Sequence, residues 1–373
     1  MRSMDLDKQI RRILIEEGAE KFPLTSRILR RSAGGGAAES ILPKDDGREG
    51  FGDLDMDKET LRLLSFPGEM LKPCPGTNNY ICCGYQILNV GTNCPLDCSY
   101  CILQAYFNQP SLRVFVNLER ELQSIIEYID SHPDRIFRIG TGEFTDSLAL
   151  DPIVGWSHML PPLFAERKNA VLELKTKTDH IDGLLASSVR NRMIISWSLN
   201  STHISSREEH RAPSIKRRLE AAKKCQEEGY VLGFHFDPLI EHPGWKDDYK
   251  RTLDLMADFI DPKGIIWISM GTIRYMPGLK KIIRRRHPDT HILDGEFVPG
   301  LDGKMRYLQS IRIDMYGHMR ELLNEWSEDL GVYLCMESDE VWQQGMGWTV
   351  KTSDGLSQYL DERVMRFFSE SSV

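Results

Sequence analysis

From residue 85 onward the chain repeats an alternation that few folds accommodate, a short β-branched run followed by a segment of helical period. The runs are YQILNVG (85–91), RIFRIG (135–140), AVLELKT (170–176), MIISWSL (193–199), YVLGFHF (230–236) and GIIWISM (264–270). Helix-period segments lie near 117–131, 153–168, 179–189, 212–228, 246–260 and 275–286. Six such units predict parallel strands joined by crossover helices, and runs apolar on both faces predict a sheet covered on one side and nearly closed on the other. The expected fold is therefore α/β, a partial (β/α)6 barrel of the TIM type. Residues 304–345 read as a long helix, the strand VYLCME and a short helix that close it. Residues 8–31 read as charged helical sequence interrupted at Pro23, followed by Gly/Ala-rich and Asp/Gly-rich linkers. The expected organisation is an N-terminal helical or irregular extension and linker over 1–75, the barrel with its closing elements over 76–345, and a tail over 346–373.

Ligands of such sheets sit at the carboxyl ends of the strands. Attention therefore falls on the residues after each run: a cysteine loop, Gly140–Asp146, Thr176–Asp179, Ser198–Thr202 and Asp237–His242. With 47 Lys plus Arg against 55 Asp plus Glu, the net charge of −8 gives no global field attracting nucleic acid or an anionic membrane. Any such contact needs a local patch. No apolar run approaches the roughly 18 residues of a membrane span. The charged start lacks a signal-peptide core, so a cytoplasmic location is expected. Of the eight cysteines, Cys74, Cys82, Cys83, Cys94, Cys98 and Cys101 cluster, whereas Cys225 and Cys335 stand apart and read as inert core thiols. In a reducing compartment, clustered cysteines bind metal or do chemistry more often than they form disulfides.

The sharpest signal is Cys94-Pro-Leu-Asp-Cys98-Ser-Tyr-Cys101, placed just after the first barrel strand. A 4Fe-4S cubane normally takes four Cys. No fourth follows until Cys225, which leaves one iron open, and an open iron at a barrel mouth is what chelation and reductive cleavage of S-adenosylmethionine (SAM) require. The alternative is a structural zinc site completed by Cys74, Cys82 or Cys83. A second signal is Arg138-Ile-Gly-Thr-Gly-Glu143-Phe-Thr-Asp146-Ser. Its Gly140 and Gly142 permit close backbone approach, and Glu143 can accept from a ligand ammonium. The competing reading is a tight turn and helix cap.

With these motifs the sequence resembles the radical SAM superfamily and, within it, the spore photoproduct lyase family of DNA-repair enzymes. The resemblance covers roughly residues 10–345. It is carried by the Cys loop with its sequel Ile-Leu-Gln-Ala-Tyr-Phe-Asn-Gln-Pro, by Gly-Thr-Gly-Glu-Phe-Thr-Asp, by Leu-Lys-Thr-Lys177, by Trp-Ser198-Leu-Asn and by Pro-Leu-Ile-Glu-His-Pro-Gly-Trp245. It implies a 4Fe-4S cluster on Cys94, Cys98 and Cys101. It implies SAM held near Gly142, Glu143, Thr145, Lys177 and Ser198, with Tyr100 over the cofactor. The implied reaction is hydrogen abstraction from a thymine dimer by a 5′-deoxyadenosyl radical, scission of the inter-base bond and hydrogen return. The implied partners are damaged DNA, met through a local basic patch, and an electron donor such as flavodoxin or ferredoxin. The rival readings are a radical SAM enzyme with a non-DNA substrate and a non-catalytic Fe–S or zinc module.

Two departures stand out. Where the lyase has a cysteine that returns the hydrogen atom, this chain has Glu143, and where the lyase has a Tyr directly after the third cluster Cys, this chain has Ile102. Cys82 and Cys83 are then candidate donors, Cys83 being taken as catalytic beside Tyr100; the alternative is an incidental thiol pair. His235, Asp237, Glu241 and His242 read either as substrate lining or as hydrogen-bonded core. The basic runs at 216–224 and 280–287 read as solvated helix faces or phosphate contacts. Trp245, Trp267, Trp342 and Trp348 read as core.

Overall fold

The computed structural model describes residues 9–42, 57–77, 79–107 and 109–369. The Asp/Gly-rich linker read at 44–53 lies outside them. The central sheet has eight strands: β1 (Leu71–Pro73), β2 (Gln86–Leu88), β3 (Phe137–Gly140), β4 (Ala170–Thr176), β5 (Met193–Ser198), β6 (Val231–Leu239), β7 (Ile265–Thr272) and β8 (Val332–Leu334). They lie side by side in chain order. β1 pairs antiparallel with β2 and every later neighbour is parallel. All six runs read from the sequence are strands of this curled sheet. β5 and β7 are buried along their whole length and β4 is buried except at Lys175. Each Ile, Leu or Val buried there contributes about 1.5–3 kcal/mol. The two edges do not pair as strands. At the mouth, however, Ile81 just ahead of β2 bridges Glu337 just beyond β8, its N–H donating to that carbonyl at 2.9 Å.

The crossover helices follow the expected periods at Leu118–Asp130, Ile215–Glu227, Trp245–Phe259 and Pro277–Arg286. In the first, Leu118, Leu122, Ile125, Ile126 and Ile129 form the buried stripe. The stretch read as one helix at 153–168 is broken into Asp151–Val154, Trp156–Met159 and Pro161–Phe164. Gly155 takes a left-handed conformation between the first two, and Pro161 cannot continue the second.

The N-terminal region departs from its reading. Arg12–Glu16, expected to be helical, is a strand in which Ile13 and Ile15 are buried. It pairs in parallel with Ala38–Leu42 and Thr60–Leu64, and the latter pairs with Leu112–Phe115. The alternating Ile residues fit a pleated surface that the later chain supplies. The region is therefore a second, five-stranded sheet completed by two strands of the β2–β3 crossover, Gly91–Thr92 and Leu112–Phe115, not a helical or irregular extension. Helix Pro23–Ser32 packs against Asp151–Val154. Within the stretch read as a tail, Ser353–Phe367 is a helix that buries Leu356, Leu360 and Val364. Its Arg363 donates to the carbonyls of Ile266 and Ile265 at 2.8 and 3.1 Å, and Asp361 pairs with Arg138 of β3 at 2.8 Å.

Candidate active site at the barrel mouth

The Cys loop is held from several directions. Asn93 and Asp97 take left-handed backbone conformations (φ 66° and 54°), which these residue types tolerate. The Asn93 amide donates to the carbonyls of Gln109 and Ser111 at 2.8 and 2.7 Å. Lys58 donates to the Cys94 carbonyl at 2.6 Å, Gln104 to that of Ser99 at 2.6 Å, and Arg286 to the Asp97 carboxylate at 2.7 Å. From the β5 side, the Ser99 N–H donates to the Glu208 carbonyl at 2.8 Å, and Cys98 forms a β-bridge with Glu209. The Glu209 carboxylate accepts from the Tyr100 hydroxyl and from Arg218. Both partners of that ion pair are fully buried. Burial alone would raise the Glu209 carboxyl, and Arg218 with Lys177 holds it below its usual range. Arg218 also donates to the Ser198 carbonyl at 3.1 Å, tying the end of β5 to the Cys loop.

The turn after β3 is equally constrained. A Cβ on Gly140 would lie 1.4 Å from the Tyr85 hydroxyl, and one on Gly142 would lie 2.8 Å from the Lys175 Cβ. Only glycine fits at either position. Asp146 accepts from the Leu148 and Ala149 N–H groups at 3.0 and 2.8 Å, from the Thr176 hydroxyl at 2.7 Å and from the Lys177 N–H at 2.8 Å. Burial, then the Asp146 charge, push the Cys94 thiol up to about 12, which puts the turn after β3 within electrostatic reach of the Cys loop. Lys177 stands 5.8 Å from the Tyr100 ring centre. The structure thus brings Cys94, Cys98, Cys101, Tyr100, Thr145, Lys177 and Ser198 to one end of the barrel. Glu143 is turned toward Lys175, whose ammonium lies 3.6 Å from its carboxylate.

The thiols of Cys94, Cys98 and Cys101 do not all lie within 4.8 Å of one another; among the described residues only His203, His242 and Asp248 satisfy that spacing. Three thiols leave a tetrahedral zinc one ligand short, whereas a cubane held by three leaves one iron open to a ligand, and it is the second that suits this loop. Beside it, the Thr145 hydroxyl is buried without a hydrogen-bond partner among the described residues. A buried polar atom left in this way fits a ligand that brings its own polar groups.

Several structural groups escaped the sequence reading. Glu173 on β4 accepts from Ser196 at 2.5 Å, from His235 at 2.9 Å and from Trp267 at 2.9 Å, and His235 meets Ser269 at 2.6 Å. His235 is therefore hydrogen-bonded core. Asp237 is paired with Arg274 at 2.9 Å. His242 contacts Ser201 at 3.0 Å and stacks on His203. In the basic run, Arg286 is committed to Asp97 and Gln104, and His287 stacks on His210. Trp245, Trp267 and Trp342 are buried, whereas Trp348 is 37% exposed. Cys335 is partly accessible and accepts from Arg274 at 3.6 Å, so it does not sit in the apolar core.

Comparison with known proteins gives one family. The sequence profile described as spore photoproduct lyase matches residues 82–309. The spore photoproduct lyase of a Geobacillus species is 27% identical over 206 residues, 54% of this chain and 60% of that protein. That of Bacillus subtilis is 25% identical over 209 residues, 55% and 61% of the two chains. The match thus spans about 60% of these two relatives. That of Clostridium acetobutylicum is 24% identical over 298 residues, 77% and 85% of the two chains. Among solved structures, a spore photoproduct lyase variant with bound AdoMet and dinucleoside spore photoproduct superposes with a TM-score of 0.77 at 22% identity, covering 88% of this chain and 99% of that one. The fold is shared over nearly the whole length.

Proposed function

This chain belongs to the spore photoproduct lyase family, and from that premise we propose that it is a radical SAM enzyme that repairs UV-induced thymine dimers in DNA. The observation that carries the reading is the three-thiol loop set near the ends of β3, β4 and β5 beside the unpartnered Thr145 hydroxyl. Cys94, Cys98 and Cys101 hold a 4Fe-4S cluster. When bound, the cluster and SAM supply a 5′-deoxyadenosyl radical that abstracts hydrogen from the lesion. Glu143, which is one-third exposed, accepts the SAM ammonium. Lys177 and Ser198 receive its carboxylate or ribose, Gly142 allows close approach, and Tyr100 covers the cofactor from its anchor on Glu209. The lesion is extruded from the duplex to reach the mouth, at a cost of a few kcal/mol that a damaged step lowers. Lys280, Lys281 and Arg284 offer the local basic surface for phosphate, and a flavodoxin or ferredoxin supplies electrons. Cys83 takes part in the thiol path of hydrogen return, because Glu143 cannot donate a hydrogen atom.

No helix among the described residues is long and apolar enough to cross a membrane; the proposed location is the cytoplasm. The test is incubation of reduced enzyme and SAM with UV-damaged oligonucleotide and with dinucleoside spore photoproduct. Recovery of thymine with formation of 5′-deoxyadenosine supports the reading. A second reading, another substrate on the same radical machinery, is favoured by the Glu143–Lys175 pair standing where the lyase keeps its thiol. It predicts 5′-deoxyadenosine without thymine.

A further inference from the structure

A lesion radical must regain a hydrogen atom; a carboxylate has none to give, and the O–H bond of a protonated carboxyl is too strong to give one up. Cys225 is buried on the helix Ile215–Glu227, and the Cys82 sulfur faces the Thr77 carbonyl at 3.7 Å beneath Gly76. Cys74, Cys83 and Cys335 remain, and the fold gathers them. The Cys74 N–H donates to the Tyr85 carbonyl at 2.8 Å. Ile81 and Glu337 form the antiparallel bridge that closes the mouth; Cys83 lies two residues beyond the first and Cys335 two residues before the second. All three thiols are partly accessible, yet burial pushes each of them up. Groups that touch solvent while lying deep line a recess.

The three differ in what they face. Cys74 and Cys83 pack against the apolar cluster of Tyr85, Ile87 and Phe144. Cys335 instead faces charge. Its sulfur accepts from Arg274, which two hydrogen bonds of 2.9 and 3.0 Å fix on Asp237. A Cβ on Gly271 would meet Arg274 Nη1, which donates to Asp237, at 2.7 Å, so the strand leaves room for the Arg274–Asp237 pair. Lys175, the partner of Glu143, is also within the field of Asp237 and Cys335.

We propose that Cys335 is the thiol that hands its hydrogen atom to the substrate radical, with Cys83 as the sulfur that replenishes it. The inference rests on the lesion-repair reading above. The Cys335 S–H bond breaks homolytically as the new substrate C–H bond forms, leaving a thiyl radical on Cys335. Cys83 passes its hydrogen atom to that sulfur, a near-thermoneutral exchange between like bonds. One electron from the flavodoxin- or ferredoxin-class donor and one proton from water restore the Cys83 thiol. Each repair then consumes one SAM and two electrons, one for SAM cleavage and one for the thiyl.

The test uses the full chain with its cluster, SAM and dinucleoside spore photoproduct in deuterated water. Wild-type thymine carries one deuterium from the exchanged thiol. In Cys335→Ala and in Cys335→Ser, whose hydroxyl cannot donate, 5′-deoxyadenosine formed per thymine rises at least tenfold; Cys225→Ala leaves the ratio unchanged. Without substrate, diamide oxidation followed by peptide mapping yields a Cys83–Cys335 disulfide. Wild-type thymine yield from Cys335→Ala, or a Cys74–Cys83 disulfide in place of Cys83–Cys335, overturns the inference alone. Wild-type enzyme that releases no thymine overturns the lesion reading and this inference with it.

Discussion

Glu173 sits in the middle of a buried parallel strand, where an unpaired carboxylate would be untenable. Burial pushes it up, but His235, Ser196 and Lys175 outweigh that and bring it from 4.5 down to about 2. A carboxyl depressed in the folded state contributes stability that is present above pH 4.5 and lost as the pH falls through about 2. The shift corresponds to roughly 3 kcal/mol. Urea unfolding followed from pH 6 downward should show this acid limb, and Glu173→Gln should flatten it. The Glu209–Arg218 pair predicts a different outcome. Arg218→Met strands a fully buried carboxylate beside Cys98, which costs about 3–5 kcal/mol. Bound iron should fall together with the melting temperature; normal iron on a destabilised protein would show that the pair does not support the loop. At the ligands themselves, replacing Cys94, Cys98 or Cys101 by Ala should abolish the cluster, whereas Cys82→Ala should keep about four irons per chain. Glu143→Ala should weaken SAM binding at unchanged iron content, read by equilibrium dialysis. The Cys94, Cys98 and Cys101 loop was legible as a candidate because its spacing is local. Glu209 and Arg218 were not, because a carboxylate that anchors Tyr100 from beyond the next three barrel strands leaves no mark in sequence.

At the scale of elements, strands were readable wherever both faces are buried, since a continuous apolar run needs no partner to be recognised. Arg12–Glu16 was misread because Arg12 and Glu16 flank a short alternation inside charged sequence, and its partners lie at 38–42 and 60–64. Helix Ser353–Phe367 carries three buried aliphatic residues besides the Arg363 and Asp361 contacts. Removing it should expose apolar surface of β7 and β8, and each uncovered aliphatic side chain costs about 1.5–3 kcal/mol. The chain truncated after residue 346 is therefore expected to aggregate or to melt well below the full chain in a thermal scan. The turn after β3 predicts a sharper effect. Gly142→Ala puts a methyl 2.8 Å from the Lys175 Cβ, forcing β3 and β4 apart at the mouth. Overpacking of this kind costs about 1–3 kcal/mol.

For the whole molecule, a net charge of −8 means that the proposed DNA contact would be confined to a patch. The slope of log affinity against log salt for duplex DNA should correspond to only a few phosphates, and Lys280→Gln with Lys281→Gln should lower it by about 2. An unchanged slope would remove that helix from the interface. The βα alternation determined the barrel strands, and the Cys94, Cys98 and Cys101 spacing marked the loop proposed to hold the cluster, from sequence alone, because both are written in residues close together in the chain. Only the tertiary structure decided the rest. It placed the first strands beside Leu112–Phe115, turned Glu143 onto Lys175, and brought Cys335 to the mouth through the Ile81–Glu337 bridge. Those contacts join segments tens to hundreds of residues apart, and closing a sheet into a curl fixes such neighbours through backbone pairing that no local pattern records.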